Sequence, residues 1–156
     1  MGRRPCAYLG VAAAVAIAIS APAGASAPPP PRAALQGFGC HRAADSLNRW
    51  IEVTAVMRPV SGTQRMEMKF QLLRKGPHGR AFTDVSGSGT DLGKWLHPTN
   101  PPTLGSRPHD RWSVQKPVAD LSPPGVYRFR VSFRWLGTHG SALQTVAQLS
   151  RVCDQR

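Results

Sequence analysis

The sharpest alternation of apolar and polar residues lies in residues 121 to 137, LSPPGVYRFRVSFRWLG. There Tyr127, Phe129, Val131, Phe133 and Trp135 interleave with Arg128, Arg130, Ser132 and Arg134. Successive side chains of a strand point to opposite faces, so this stretch predicts a half-buried strand with five large apolar groups on a core and three guanidinium groups outward. Residues 49 to 58, RWIEVTAVMR, are rich in β-branched and aromatic types and place Ile51, Val53, Ala55 and Met57 on one face, ending at Pro59 and Ser61-Gly62. Residues 65 to 75, RMEMKFQLLRK, set Met66, Met68, Phe70 and Leu72 against Glu67, Lys69 and Gln71. The short Gly-containing turn between these two segments predicts a hairpin. A further strand is expected over 112 to 121, with Trp112 and Val114 inward and Lys116-Pro117 marking an edge or a bulge. After the central strand, Gly137-Thr-His-Gly140 reads as a hairpin turn, and residues 141 to 151 return as the final strand.

Elsewhere the pattern fades. Residues 43 to 47 allow one helical turn. Residues 76 to 108 hold Gly87-Ser-Gly89, Asn100-Pro-Pro102 and Gly105, with only 80 to 85 strand-like. This third is expected to wrap an edge of the sheet as loops and short strands, anchored by Trp95 and Leu96. Gly87-Ser-Gly-Thr lacks the Gly-Lys-Ser/Thr of a phosphate loop and reads as a turn.

The N-terminus has a different character. Arg3 and Arg4 precede an apolar run over residues 9 to 19 and the small-residue site Ala25-Ser26-Ala27, so residues 1 to 27 read as a helical signal peptide for export. The run is too short for the roughly 20 residues that span a bilayer, so no transmembrane anchor is expected after cleavage. Residues 28 to 39 form a Pro-rich linker, with a polyproline spacer at Pro28 to Pro31 and an irregular stretch over 32 to 39. Cys6 leaves with the signal. Two cysteines remain, Cys40 and Cys153, and in an exported chain such a pair implies a disulfide. Its loop of about 112 residues would stabilise the fold by roughly 5 kcal/mol in the chain-entropy model, and the expected geometry ties the first strand to the last. The five histidines show no zinc-type spacing, so neither a metal nor a cofactor is expected.

Length and composition fit one globular domain over residues 40 to 156, with 41% apolar residues and many turns from 15 Gly and 15 Pro. The formal charge is +12, from 20 Lys+Arg against 8 Asp+Glu. The basic residues, most of them Arg, are spread along the chain rather than gathered in one run. No specific nucleic-acid partner is therefore expected, although summed attraction for an acidic polymer is open.

Leu121, Pro123, Gly125 and Tyr127 form a Leu-x-Pro-x-Gly-x-Tyr approach to the central strand. It resembles the tyrosine corner of immunoglobulin-like and fibronectin-III-like domains, in which the Tyr hydroxyl bonds backbone just upstream and pins a crossover between sheets. The resemblance implies an all-β, immunoglobulin-like two-sheet antiparallel β-sandwich, with the central strand as strand F and a structural role for Tyr127. Phe129 stands where an immunoglobulin domain usually places a Cys. The terminal cysteines, the Met-rich second strand and the Tyr-Arg…Phe-Arg-Trp-Leu strand also look like small exported actinobacterial proteins of unassigned function. That resemblance implies a compartment and a fold, and no chemistry.

Catalysis needs a nucleophile or a paired acid and base in a shaped pocket. The carboxylates Asp45, Glu52, Glu67, Asp84, Asp91, Asp110, Asp120 and Asp154 are few and separate, and His109-Asp110 is the nearest approach to a pair. No Gly-x-Ser-x-Gly elbow is present, so no enzymatic activity is expected. Two function classes remain. One is an exported, non-catalytic module, secreted or held at the cell envelope, that contacts a protein or envelope partner through a sheet face or edge. The other is a binder of acidic polysaccharide or another polyanion through Arg128, Arg130 and Arg134, with Arg74, Lys75 and Arg80. Against the second stands the ordinary use of such a row as a solvated sheet face, with long side chains covering the sheet and their heads in water.

Overall fold

The computed structural model describes residues 29 to 87 and 91 to 156, which form two antiparallel sheets packed face to face. The signal peptide expected over residues 1 to 27 lies outside the described residues, as do positions 88 to 90 of the glycine turn. Among the described residues nine strands follow one another: β1 (Ala33–His41), β2 (Trp50–Met57), β3 (Arg65–Lys75), β4 (Thr83–Asp84), β5 (Trp95–Leu96), β6 (Trp112–Val118), β7 (Gly125–Leu136), β8 (Ala142–Leu149) and β9 (Cys153–Gln155). The smaller sheet has the order β1-β2-β6. The larger runs β4-β3-β7-β8, with β5 also on β3 and β9 also on β7. The fold is a β-sandwich.

Its core is the meeting of the alternating faces read from the sequence. Ile51, Val53, Ala55 and Met57 of β2 and Phe129, Val131, Phe133 and Trp135 of β7 are at most 1% exposed. Met66, Met68 and Phe70 of β3 join them, and at about 25 cal/mol per Å² such side chains supply most of the driving force for association of the sheets. The one polar atom of this group that needs a partner finds one: the Trp135 indole Nε1 donates to the Arg58 carbonyl at 2.7 Å.

Two expectations fail. The hairpin expected between β2 and β3 does not form, because β2 pairs with β1 and β6 while β3 pairs with β7 over eleven positions, Arg65↔Leu136 to Lys75↔Val126. Both segments bury one full apolar face, and two such faces are best satisfied by lying opposite each other across the core. The 58 to 64 turn is therefore a crossover between sheets. The irregular stretch expected over 32 to 39 is instead most of β1, so a strand starts inside the expected linker. Its register slips between Leu35 and Gly37, so Gln36 is the extra residue of a bulge. The bulge re-phases the strand, and Leu35, Phe38 and Cys40 all pack on the core despite a spacing that breaks period two.

The covalent link closes the sandwich as expected, joining β1 to β9 through Cys40–Cys153 across 113 positions of sequence. A disulfide is compatible with an oxidising, extracytoplasmic compartment. Two glutamines from the larger sheet reinforce the same seam: Gln148 Nε2 donates to Ala33 O at 3.1 Å and Gln155 Nε2 to His41 O at 2.9 Å. The final strand is interrupted. Ser150 replaces one ladder contact by its hydroxyl, which accepts from Phe129 N at 2.9 Å, and β9 then resumes pairing with the start of β7.

Before β7, the chain makes the contact that the tyrosine-corner resemblance implies. The Tyr127 hydroxyl donates to the Ser122 carbonyl at 2.6 Å, and the ring is buried at 3% exposure beside Leu121. Residues 43 to 49 supply the expected short turn, a 3-10 turn at Ser46–Asn48 whose N-cap is Asp45.

Candidate binding surfaces

Arg128, Arg130 and Arg134 do share the outer face of β7, but the segment between β3 and β6 folds over that face and engages two of them. Arg134 donates from Nε to Glu67 Oε2 at 2.9 Å and also through Nη2, and Glu67 takes a second partner in Arg65 at 3.0 Å. Glu67 is 5% exposed. Trp95 lies over the same site, with its ring centroid 4.1 Å from Arg134 Cζ and 4.9 Å from Lys69 Nζ. At the other end of the strand, Phe82 sits 3.9 Å from Arg128 Cζ and 5.6 Å from Lys75 Nζ. Each aromatic offers its negative π-face to two cations drawn from neighbouring strands. Trp95 thus pins its loop, though onto the charged outer face rather than into the core; Leu92, Leu96 and Leu104 make the core contacts.

Arg130 is the exposed member of the row. It faces Gln71 across the β3–β7 pair, and Gln71 Nε2 donates to Asp84 Oδ2 at 2.6 Å. Burial pushes the Asp84 carboxyl up, but hydrogen bonds from Ser86 and Gln71 and the charge of Arg130 outweigh it, so Asp84 sits below the usual carboxylate range. Arg74 leans toward the Tyr127 ring and donates to Pro124 O at 3.2 Å.

All eight side-chain carboxylates lie among the described residues, and besides Asp84 five of them have partners in the structure. Asp45 caps the 3-10 turn, Glu67 holds Arg65 and Arg134, Asp91 meets Lys116 at 3.6 Å and Asp154 meets Arg156 at 2.8 Å. Asp110 does not orient His109. Its Oδ2 accepts from Gly105 N at 2.7 Å and Arg107 N at 3.1 Å, and these amides hold the carboxyl below its usual range. The described carboxylates, histidines and cysteines bring no three metal-ligating side chains together.

A second group of cations was not legible as a group. Arg32 before β1, Arg58 after β2 and Arg107 and His109 before β6 come from separate parts of the chain and meet at one end of the sandwich. They border two adjoining clefts, one of about 410 Å³ and one of about 290 Å³, which share Arg32 and Pro108. Among the described residues, none of the three arginines pairs with a carboxylate at salt-bridge distance. Arg111, next along the chain, donates to Gln36 Oε1 at 2.9 Å.

Compared with known protein families, curated proteins and solved structures, the chain matches none.

Proposed function

We propose that the protein is an exported, non-catalytic β-sandwich module that makes protein contacts at the cell envelope or outside the cell, through the bare edge of its larger sheet. The reading rests on how differently the strand edges are treated. A free edge is a template for pairing with another chain, and proteins ordinarily blunt it with charge, proline or a covering loop. The β3 edge is covered, since β4 and β5 pair with it and Gly93 N donates to Phe70 O at 2.7 Å. The β6 edge carries Lys116 and Pro117. Neither the nine residues of β1 nor the eight of β8 include Asp, Glu, Lys or Arg, in a chain that is 18% charged.

The observation that carries the proposal is β8 itself, ALQTVAQL, an uncharged edge strand without proline and flanked by exposed apolar side chains. Leu143, Leu149 and Val152 are 46%, 48% and 54% exposed. Addition of an extended partner segment would satisfy the unpaired backbone groups and cover these side chains together. Export is supported by the signal-like N-terminus and by the disulfide. The immunoglobulin-like reading of the sandwich is supported by the Tyr127–Ser122 contact.

A photo-crosslinking residue at Thr145 of β8, compared with one at Gln115 of β6 in intact producing cells, tests this. Adducts are expected from position 145 and not from 115, and Ala147→Lys on the outward side of the same strand should remove them without lowering the melting temperature. Equal adducts from both edges, or none from β8, would overturn the proposal.

A further inference from the structure

The cation group at the end of the sandwich is independent of the β8 edge and has its own chemistry. Its larger cleft is walled by two turns that hold themselves in place. In one, Gly62 has φ +81°, Thr63 Oγ1 donates to Val60 O at 2.7 Å, and the same oxygen accepts from Val60 N at 3.0 Å. In the other, Gly105 has φ +110° and packs so closely on Met66 that a Cβ there would stand 2.8 Å from Met66 Cγ. Asp110 closes this second turn through the amides of Gly105 and Arg107. Both positive-φ positions favour glycine, so the cleft walls are fixed by the backbone rather than by whatever enters.

Three arginines line this preformed space, and among the described residues no carboxylate meets any of them at salt-bridge distance, Asp110 acting on Arg107 only through space. Arg32 and Arg107 border the larger cleft, and Arg32 and Arg58 the smaller, with exposed His109 alongside. Asp110, the nearest carboxylate in sequence, is turned toward loop amides. The contrast with Arg134, whose charge is met by Glu67, is direct. We propose that this pair of clefts is a binding site for the oxyanion groups of a phosphate polymer, with Arg32 between two successive phosphates and Arg58 and Arg107 on either side. Guanidinium presents a planar donor fork that matches tetrahedral oxyanions, and adjoining clefts suit a repeating anion better than a single one. A fixed cleft binds without the cost of ordering its walls.

The test uses the mature protein and short-chain inorganic polyphosphate, with orthophosphate and heparin as further arms, followed by titration calorimetry at graded salt. Polyphosphate is expected to bind more tightly than orthophosphate, and the affinity should fall as salt rises, through counterion release. Changing Arg32, Arg58 and Arg107 together to Gln should weaken binding on the order of 100-fold, at roughly fivefold per exposed contact. The matched control removes the same charge elsewhere, at exposed Arg42, Arg80 and Arg151, and should weaken binding only a few-fold through the long-range field. Equal losses in the two triple variants would mean diffuse attraction and overturn the site. So would binding of heparin as tight as polyphosphate, or no binding of polyphosphate by the parent. Unchanged melting of the Arg32/Arg58/Arg107 variant shows that a loss is not unfolding.

Discussion

The molecule carries two sets of arginines whose fates differ. Arg128, Arg130 and Arg134 stand in a row on one strand, and Arg32, Arg58 and Arg107 come together from three connections. The row lies on a sheet face that a long loop crosses, and the loop brings Phe82 and Trp95 down on it while β3 presents Glu67. Charge there is largely consumed in holding loop to sheet. Among the described residues no aromatic or carboxylate closes over the end of the sandwich in this way, and Asp110 accepts from the amides of its own turn, reaching Arg107 only through space. Regular spacing along a strand therefore says little about whether a charge is free; what lies across from it decides.

The sharpest way to break this comparison is to remove the partner of a buried charge. Arg134→Ser leaves Glu67, 5% exposed, with Arg65 alone, and should destabilise the fold by about 2 to 3 kcal/mol in urea unfolding. This departs from the behaviour of a solvated face, where the same change would leave stability untouched. A midpoint equal to that of the parent would show that Arg134 is as free as the arginines at the end of the sandwich.

On the inner side of the same strand, Tyr127→Phe removes the 2.6 Å hydrogen bond to Ser122 O and should cost about 1 kcal/mol with the fold retained. Arg128→Ser gives up the contact with Phe82 and should cost roughly 0.5 to 1 kcal/mol, with earlier proteolytic nicking between β3 and β4. The Arg32, Arg58 and Arg107 triple change to Gln should lie within about 0.5 kcal/mol of the parent by the same urea titration, because among the described residues none of the three is held in a salt bridge. A large loss there would put these arginines in the same class as Arg134.

The smallest expected effect is on pH dependence. The Asp84 and Asp110 carboxyls are both held below their usual range in the folded state. A depressed folded value means that the unfolded chain takes up the proton first. The stabilisation is therefore fully present above the unfolded value near 3.8 and is lost as pH falls through the folded one. Asp110→Asn should flatten the decline in melting temperature between about pH 5 and pH 2.5. It should also loosen the turn that holds Arg107. An identical acid profile in parent and variant would remove Asp110 as the lock on that turn.

Where one face of a segment must be apolar and the other polar, the residues determine the element by themselves. The alternations in β2, β3 and β7, the edge character of Lys116-Pro117, the Tyr127 corner and the Cys40–Cys153 link belong to this class, since period two and local turn chemistry act within a few residues, and the two cysteines among the described residues leave one pairing. β1 escaped because its bulge at Gln36 breaks the period, and a bulge is a response to the neighbouring strand rather than a property of AALQGFGCH. The pairing of β2 with β1 and β6 rather than β3 is likewise decided by which apolar faces can meet across the core, an effect of the whole chain that a short turn does not encode. The same holds for the surfaces. The row on β7 was visible in residues 128 to 134, but its engagement with Glu67, Phe82 and Trp95 depended on where a distant loop came to rest. The cleft at the end of the sandwich brings together residues 32, 58 and 107, which only the packing of strand ends makes neighbours.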